Sequence, residues 1–168
     1  MVACVPSAKV PAPSPAPAAR PAPAPAPVPV QVPQAPAYDS WMDAPATPGV
    51  WRYQPVARGS QAVFAGNGTA AQASLSCNLD TRRIAVARFV GTGGAQAMTI
   101  RSETATRSLP VTRSAGNPAL AAASLAPDDP LLDAMALSKG RFAVEVEGEA
   151  PLYLPSHAEV SRVIEDCR

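Results

Sequence analysis

The chain lacks most of the residues on which common chemistry is built. Among 168 residues there is one histidine, His157, so a Ser/His/acid hydrolase would have to turn on that imidazole. No Gly-x-Ser-x-Gly elbow accompanies any serine. Two distant cysteines, Cys77 and Cys167, with one histidine supply neither the ligand number nor the paired spacing of a zinc site. Asp128, Asp129 and Asp133 lack the Asp-x-Asp-x-Asp-Gly loop that calcium requires. Gly91-Thr92-Gly93-Gly94 leads into a strand-like run and not a helix, so it is no phosphate loop. A formal net charge of +1 leaves no strong field to steer nucleic acid. No run approaches the roughly 18 apolar residues of a membrane-spanning helix. The expectation is therefore no catalytic site, no metal and no cofactor.

What the chain has in excess is proline. Twelve of its 21 prolines fall between Pro6 and Pro36. Such a segment buries no core, takes extended polyproline geometry and acts as a semi-rigid spacer. At about 3.1 Å per residue, about 30 residues would reach on the order of 90 Å. The expected organisation is a lipidation site and Pro/Ala-rich disordered tether over 1–40, then one domain over 41–168. A domain of that size buries roughly two thirds of its unfolded surface.

Cys4 stands at the head of this segment, behind Met1-Val2-Ala3. A cysteine after small and apolar residues, leading a flexible tether, reads as the lipidated N-terminus of a bacterial lipoprotein. Only Val2-Ala3-Cys4 of such a signal is present, and the expectation is that the gene starts upstream. Lipidation of Cys4 also resolves the odd cysteine count, leaving Cys77 and Cys167 as an even pair for an oxidising compartment. Alternation in 71–77 sets Ala73, Leu75 and Cys77 on one face. Val160, Val163, Ile164 and Cys167 fall at i, i+3, i+4 and i+7, placing Cys167 on the buried stripe of a helix. Both cysteines face the core on independent grounds, and the expected pairing is Cys77 with Cys167.

Short extended segments dominate the rest: 50–53, 61–64, 71–77, 83–90, 98–103, 107–112, 120–125, 141–147 and a last one around Leu152 and Leu154. Asn67-Gly68 between two of them predicts a tight hairpin. Spacing near ten residues favours a sandwich or barrel. Two helices are expected. Asp129 caps the first, with Pro130 at its first position and Gly140 at its end. Ser156 and Glu159 form a capping box for the second. The fold class is all-β, an immunoglobulin-like or related β-sandwich with two short helices.

Arginines crowd 44–114, whereas most acids follow residue 115; the two halves are expected to interleave and neutralise each other. Arg52, Arg82, Arg83, Arg88, Arg101 and Arg107 read as outer-face strand residues and as the best candidates for an anionic partner. Glu145, Glu147 and Glu149 read as a solvated strand edge. Trp41, Trp51 and Tyr53 are expected to cover the sandwich edge where the tether enters.

Trp51-Arg52-Tyr53, 73–77, Met98-Thr99-Ile100-Arg101, 129–136, Gly140-Arg141-Phe142 and the ending 162–168 together resemble envelope proteins of alphaproteobacteria. Their order, strands with a cysteine, a small helix and a closing cysteine-containing segment, also resembles the invasion-associated locus B family. The resemblance covers about 120 residues and implies an exported β-sandwich without known chemistry. The long proline-rich segment and the single central cysteine depart from that family, so no invasion-related role is carried over. The expected function is a non-enzymatic cell-envelope lipoprotein, a binding or structural module on a proline-rich tether. The alternative is a periplasmic inhibitor or accessory subunit of an envelope enzyme. Expected partners are the membrane through the lipid anchor and envelope protein, peptidoglycan or other glycan, with no nucleic acid. The expected location is the cell envelope, membrane-anchored and facing the periplasm or the cell surface.

Overall fold

Alternating apolar and polar residues make the strands, and their parity decides what faces inward. The computed structural model describes Met1, Tyr38 and residues 40–68, 70–91, 94, 96–114 and 119–168. Cys4 and the proline-rich run up to residue 37 lie outside the described residues. Six strands form one antiparallel sheet: β1 (Val50–Val56), β2 (Gly59–Ala65), β3 (Ala71–Asn78), β4 (Arg83–Val90), β7 (Thr112–Ser114) and β8 (Ala119–Leu125). Their order is β1-β2-β3-β4-β8-β7. Four more form a second antiparallel sheet in the order β10-β9-β5-β6: β5 (Ala97–Arg101), β6 (Thr106–Pro110), β9 (Arg141–Val146) and β10 (Leu152–Pro155). The helices are α1 (Pro130–Ala136) and α2 (Ala158–Asp166).

The sandwich expected from strand spacing is present. Register sets three inward rows across the larger sheet: Trp51-Phe64-Ala73-Arg88-Ala121, Tyr53-Ala62-Leu75-Val86-Ala123 and Pro55-Ser60-Cys77-Ile84-Leu125. Each row mixes large and small side chains, and Phe64, Leu75 and Ile84 are in turn their largest fully buried members. The smaller sheet covers one end, where Phe142 stacks on Trp51 with ring centroids 6.4 Å apart. The helices complete the layer, with α2 packed on β1, β2 and β3. Phe64, Phe142, Leu75, Ile84, Met98 and Ile100 are fully buried, each contributing about 1.5–3 kcal/mol through apolar burial.

Several details differ from expectation, each for a local reason. The tight two-residue connection is Ala57-Arg58, joining β1 to β2, whereas Asn67-Gly68 sits in a five-residue loop between Ala65 and Ala71 where the register shifts. Gly59, at φ +141°, follows the tight turn, and a Cβ there would collide with the Cys77 carbonyl. The run 107–112 is not one strand: after Pro110 the chain leaves the smaller sheet and enters the larger one at Thr112. Proline donates no ladder hydrogen bond, so it suits a strand's end.

The capping box at Ser156 is also absent. His157 occupies the cap of α2 without a side-chain bond, and Ser156 Oγ donates instead to the Met135 carbonyl of α1 at 2.8 Å. Asp129 does cap α1, accepting from Leu131 N–H at 2.9 Å. That helix stops at Leu137, short of Gly140, which takes φ +79° ahead of β9. The acidic strand β9 is not an edge, because β10 and β5 flank it.

Candidate functional site

The parity of β1 turns Trp51 and Tyr53 inward and leaves Arg52 and Gln54 exposed. Alongside, α2 buries Val160, Val163 and Ile164 and presents Glu159 and Arg162 at its flank. Between strand and helix lies a groove of about 660 Å³ lined by Arg52, Tyr53, Gln54, Glu159 and Arg162, together with Trp51 and Ala158. The Arg162 guanidinium sits 4.0 Å from the centroid of the Tyr53 ring, a cation–π contact of about 0.5–1 kcal/mol at an exposed site. Tyr53 Oη donates to Asp166 at 2.8 Å. The neighbouring Ser60 hydroxyl holds the Asp166 carboxyl below its usual range; burial opposes this, and Tyr53 and Arg162 add to it. Ser60 Oγ itself is buried without a hydrogen bond of ordinary geometry.

Trp51 is a core residue and not an edge cover. It is 6% exposed, meets Phe64 edge-to-face at 5.3 Å and donates its indole N–H to the Pro155 carbonyl at 2.8 Å. Trp41 is half-buried beside Met42, Ser138 and Arg141. The segment from Ser40 to Pro48 covers the free side of β10: Thr47 N–H donates to the Tyr153 carbonyl at 2.9 Å, and Thr47 Oγ1 accepts from Tyr153 N–H at 2.8 Å.

The six candidate arginines separate rather than gather. Arg88 is not on the outer face. It shares the parity of Ile84, Val86 and Val90, is 5% exposed, and donates across the sandwich to the carbonyls of Val144, at 3.1 Å, and Ala150. Burial pushes its guanidinium below the ordinary value, with Glu149 offsetting part of that. Arg107 holds both carboxylate oxygens of Asp129 at 2.7 Å. Burial there opposes ionisation, yet the Arg107 hydrogen bond, the Leu131 N–H and the charges of Arg107 and Arg83 outweigh it and hold the Asp129 carboxyl low. Arg101 pairs with Glu145 at 3.2 Å, so these pairs do join the basic and acidic halves. Arg83 bonds Ser124, and Arg82 bonds the Arg168 carbonyl. Only Arg52 belongs to the groove. Arg162 was not singled out by sequence, and Glu159 only as a helix cap, because α2 meets β1 across more than a hundred residues.

His157 is exposed, and its ring does not cap the helix it begins. Among the described residues no three His, Cys, Asp or Glu side chains converge on a metal-binding point, and no helix is long and apolar enough to cross a membrane. Cys77 and Cys167 are 3% and 1% exposed and lie at disulfide distance, with Cα atoms 5.5 Å apart. Set against protein families, curated proteins and solved structures, the chain matches none.

Proposed function

We propose that the chain is a non-enzymatic lipoprotein of the bacterial cell envelope, whose β-sandwich is a binding or structural module carried on a proline-rich tether. The observation that carries this reading is the buried Cys77/Cys167 pair, poised to link β3 to the end of α2. Such pairs are kept oxidised in exported proteins and reduced in the cytosol. Once they bond, Cys4 is the odd thiol, and acylation there supplies the anchor and accounts for it. The β1–α2 groove supports the binding role. Arg52, Arg162 and Gln54 offer donors and Glu159 an acceptor, a set suited to the hydroxyls and carboxylates of glycan or peptidoglycan.

The test is recovery of the native protein from solubilised envelope, followed by Arg52→Ala and Arg162→Ala. Glycan that co-purifies with the wild type and is lost with the two variants supports the groove. Recovery of one stoichiometric envelope enzyme in its place would replace this reading with that of an inhibitor or accessory subunit.

A further inference from the structure

The outward residues of the six-stranded sheet are almost without charge. Register aligns them in two central rows, Arg52-Val63-Ser74-Ala87-Ala122-Thr112 and Gln54-Gln61-Ser76-Ala85-Ser124. Beyond Arg52, the only charged outward residue on these strands is Arg83, which lies along Ser124 at 3.1 Å. Solvated sheet faces ordinarily carry long charged side chains, whereas this one is nearly neutral, with Phe89 and Leu120 paired on it beyond the two rows.

The edges of both sheets are blunted against pairing. β1, β6 and β10 carry Pro55, Pro110 and Pro155, and β7 has three residues. Proline and short length are what blunt edge strands against adding another chain. Assembly through strand edges is thereby disfavoured, and the broad face is left.

We propose that this face docks on the same face of a second copy of the chain. A two-fold axis running along the strands between β3 and β4 lays β1 of one copy over β7 of the other, β2 over β8 and β3 over β4. Each central row then meets itself reversed. Arg52 falls on Thr112, Val63 on Ala122 and Ser74 on Ala87, and Arg83 falls on Asn78, its own register partner. No like charges face each other, and the largest side chain of the first row's interior, Val63, meets one of the smallest. Six strands spaced about 4.8 Å apart and about 24 Å long give on the order of 1,000 Å² for two copies. That is the area at which specific interfaces begin. Aligned stacking of two twisted sheets is a standard packing mode. Arg52 and Gln54 also line the groove, whereas Ser74 and Ala85 lie outside it, so variants at the latter two separate the face from the groove.

Sedimentation of the full chain across micromolar to near-millimolar concentration tests it, with circular dichroism as the check on folding. The wild type is expected to dimerise reversibly. Ser74→Arg and Ala85→Arg are each expected to raise the dissociation constant by at least about tenfold, with native dichroism. Thr112→Glu is expected to tighten the dimer by facing the other copy's Arg52. A wild type that stays monomeric throughout overturns the proposal. So does a dimer that survives both arginine variants with native dichroism, or one that Thr112→Glu loosens.

Discussion

The two sheets are put together by different means. The larger begins as four consecutive strands, β1 to β4, each hairpin-joined to the next. The smaller is assembled from two hairpins far apart in the chain, with β5 pairing β9 across the insertion of β6, β7, β8 and α1. Their outer faces differ as well. The larger is neutral and uncovered by the described residues, while the smaller carries the Arg101–Glu145 pair and has its β10 side covered by Thr47. Local pairing needs little help from side-chain charge. Distant pairing is reinforced by polar ties, above all Arg88 reaching from β4 to the carbonyls of Val144 and Ala150. The contrast separates residues that hold each sheet from residues that hold the two together.

The largest effect is expected where the larger sheet is tied to α2. The cysteines are 90 residues apart, and opening their link by reduction or by Cys167→Ser should lower stability by about 4–5 kcal/mol on the chain-entropy model. Urea unfolding with and without reductant measures it.

The tie between sheets comes next. Arg88→Ala leaves two carbonyls without their donor and should cost about 2–4 kcal/mol. Arg88→Met loses the same two bonds but fills most of the space, and should cost less because it opens a smaller cavity. Hydrogen exchange should show β9 and β10 opening before β1 to β4 in Arg88→Ala; uniform loss of protection would erase the distinction between the sheets.

Asp129→Ala should cost about 1–2 kcal/mol through the lost helix cap and the unpaired Arg107. The Asp129 carboxyl is depressed in the fold, so its contribution is complete above its unfolded pKa of about 4 and is lost as pH falls through the folded value. Asp129→Asn should flatten that part of the acid unfolding curve. The smallest effect is expected on the outside of the smaller sheet. Arg101 and Glu145 are 40% and 31% exposed, and a double-mutant cycle there should return no more than about 1 kcal/mol.

What the sequence revealed follows the same division. Parity within a strand placed Cys77 inward, and helical periodicity placed Cys167 on the buried stripe, so the fold class and the cysteine juxtaposition were legible locally. Arg88 was legible too, by its parity with Ile84 and Val86, but its charge argued for solvent. The break at Pro110 depends on which sheet lies nearby. Ser156 lost its capping role because Met135 of α1 offers an acceptor that only the tertiary fold brings close. The groove was half legible: Arg52 and Tyr53 stood out, whereas Glu159, Arg162 and Asp166 reach β1 only through the packing of α2.

Export into an oxidising compartment is the central claim, and peptide mapping by mass spectrometry is its most direct test. Protein taken from native membranes without reductant and alkylated on lysis should yield the peptides of Cys77 and Cys167 joined to each other and unalkylated, with Cys4 acylated. Recovery of both buried cysteines as alkylated free thiols, with Cys4 unmodified, would contradict the account.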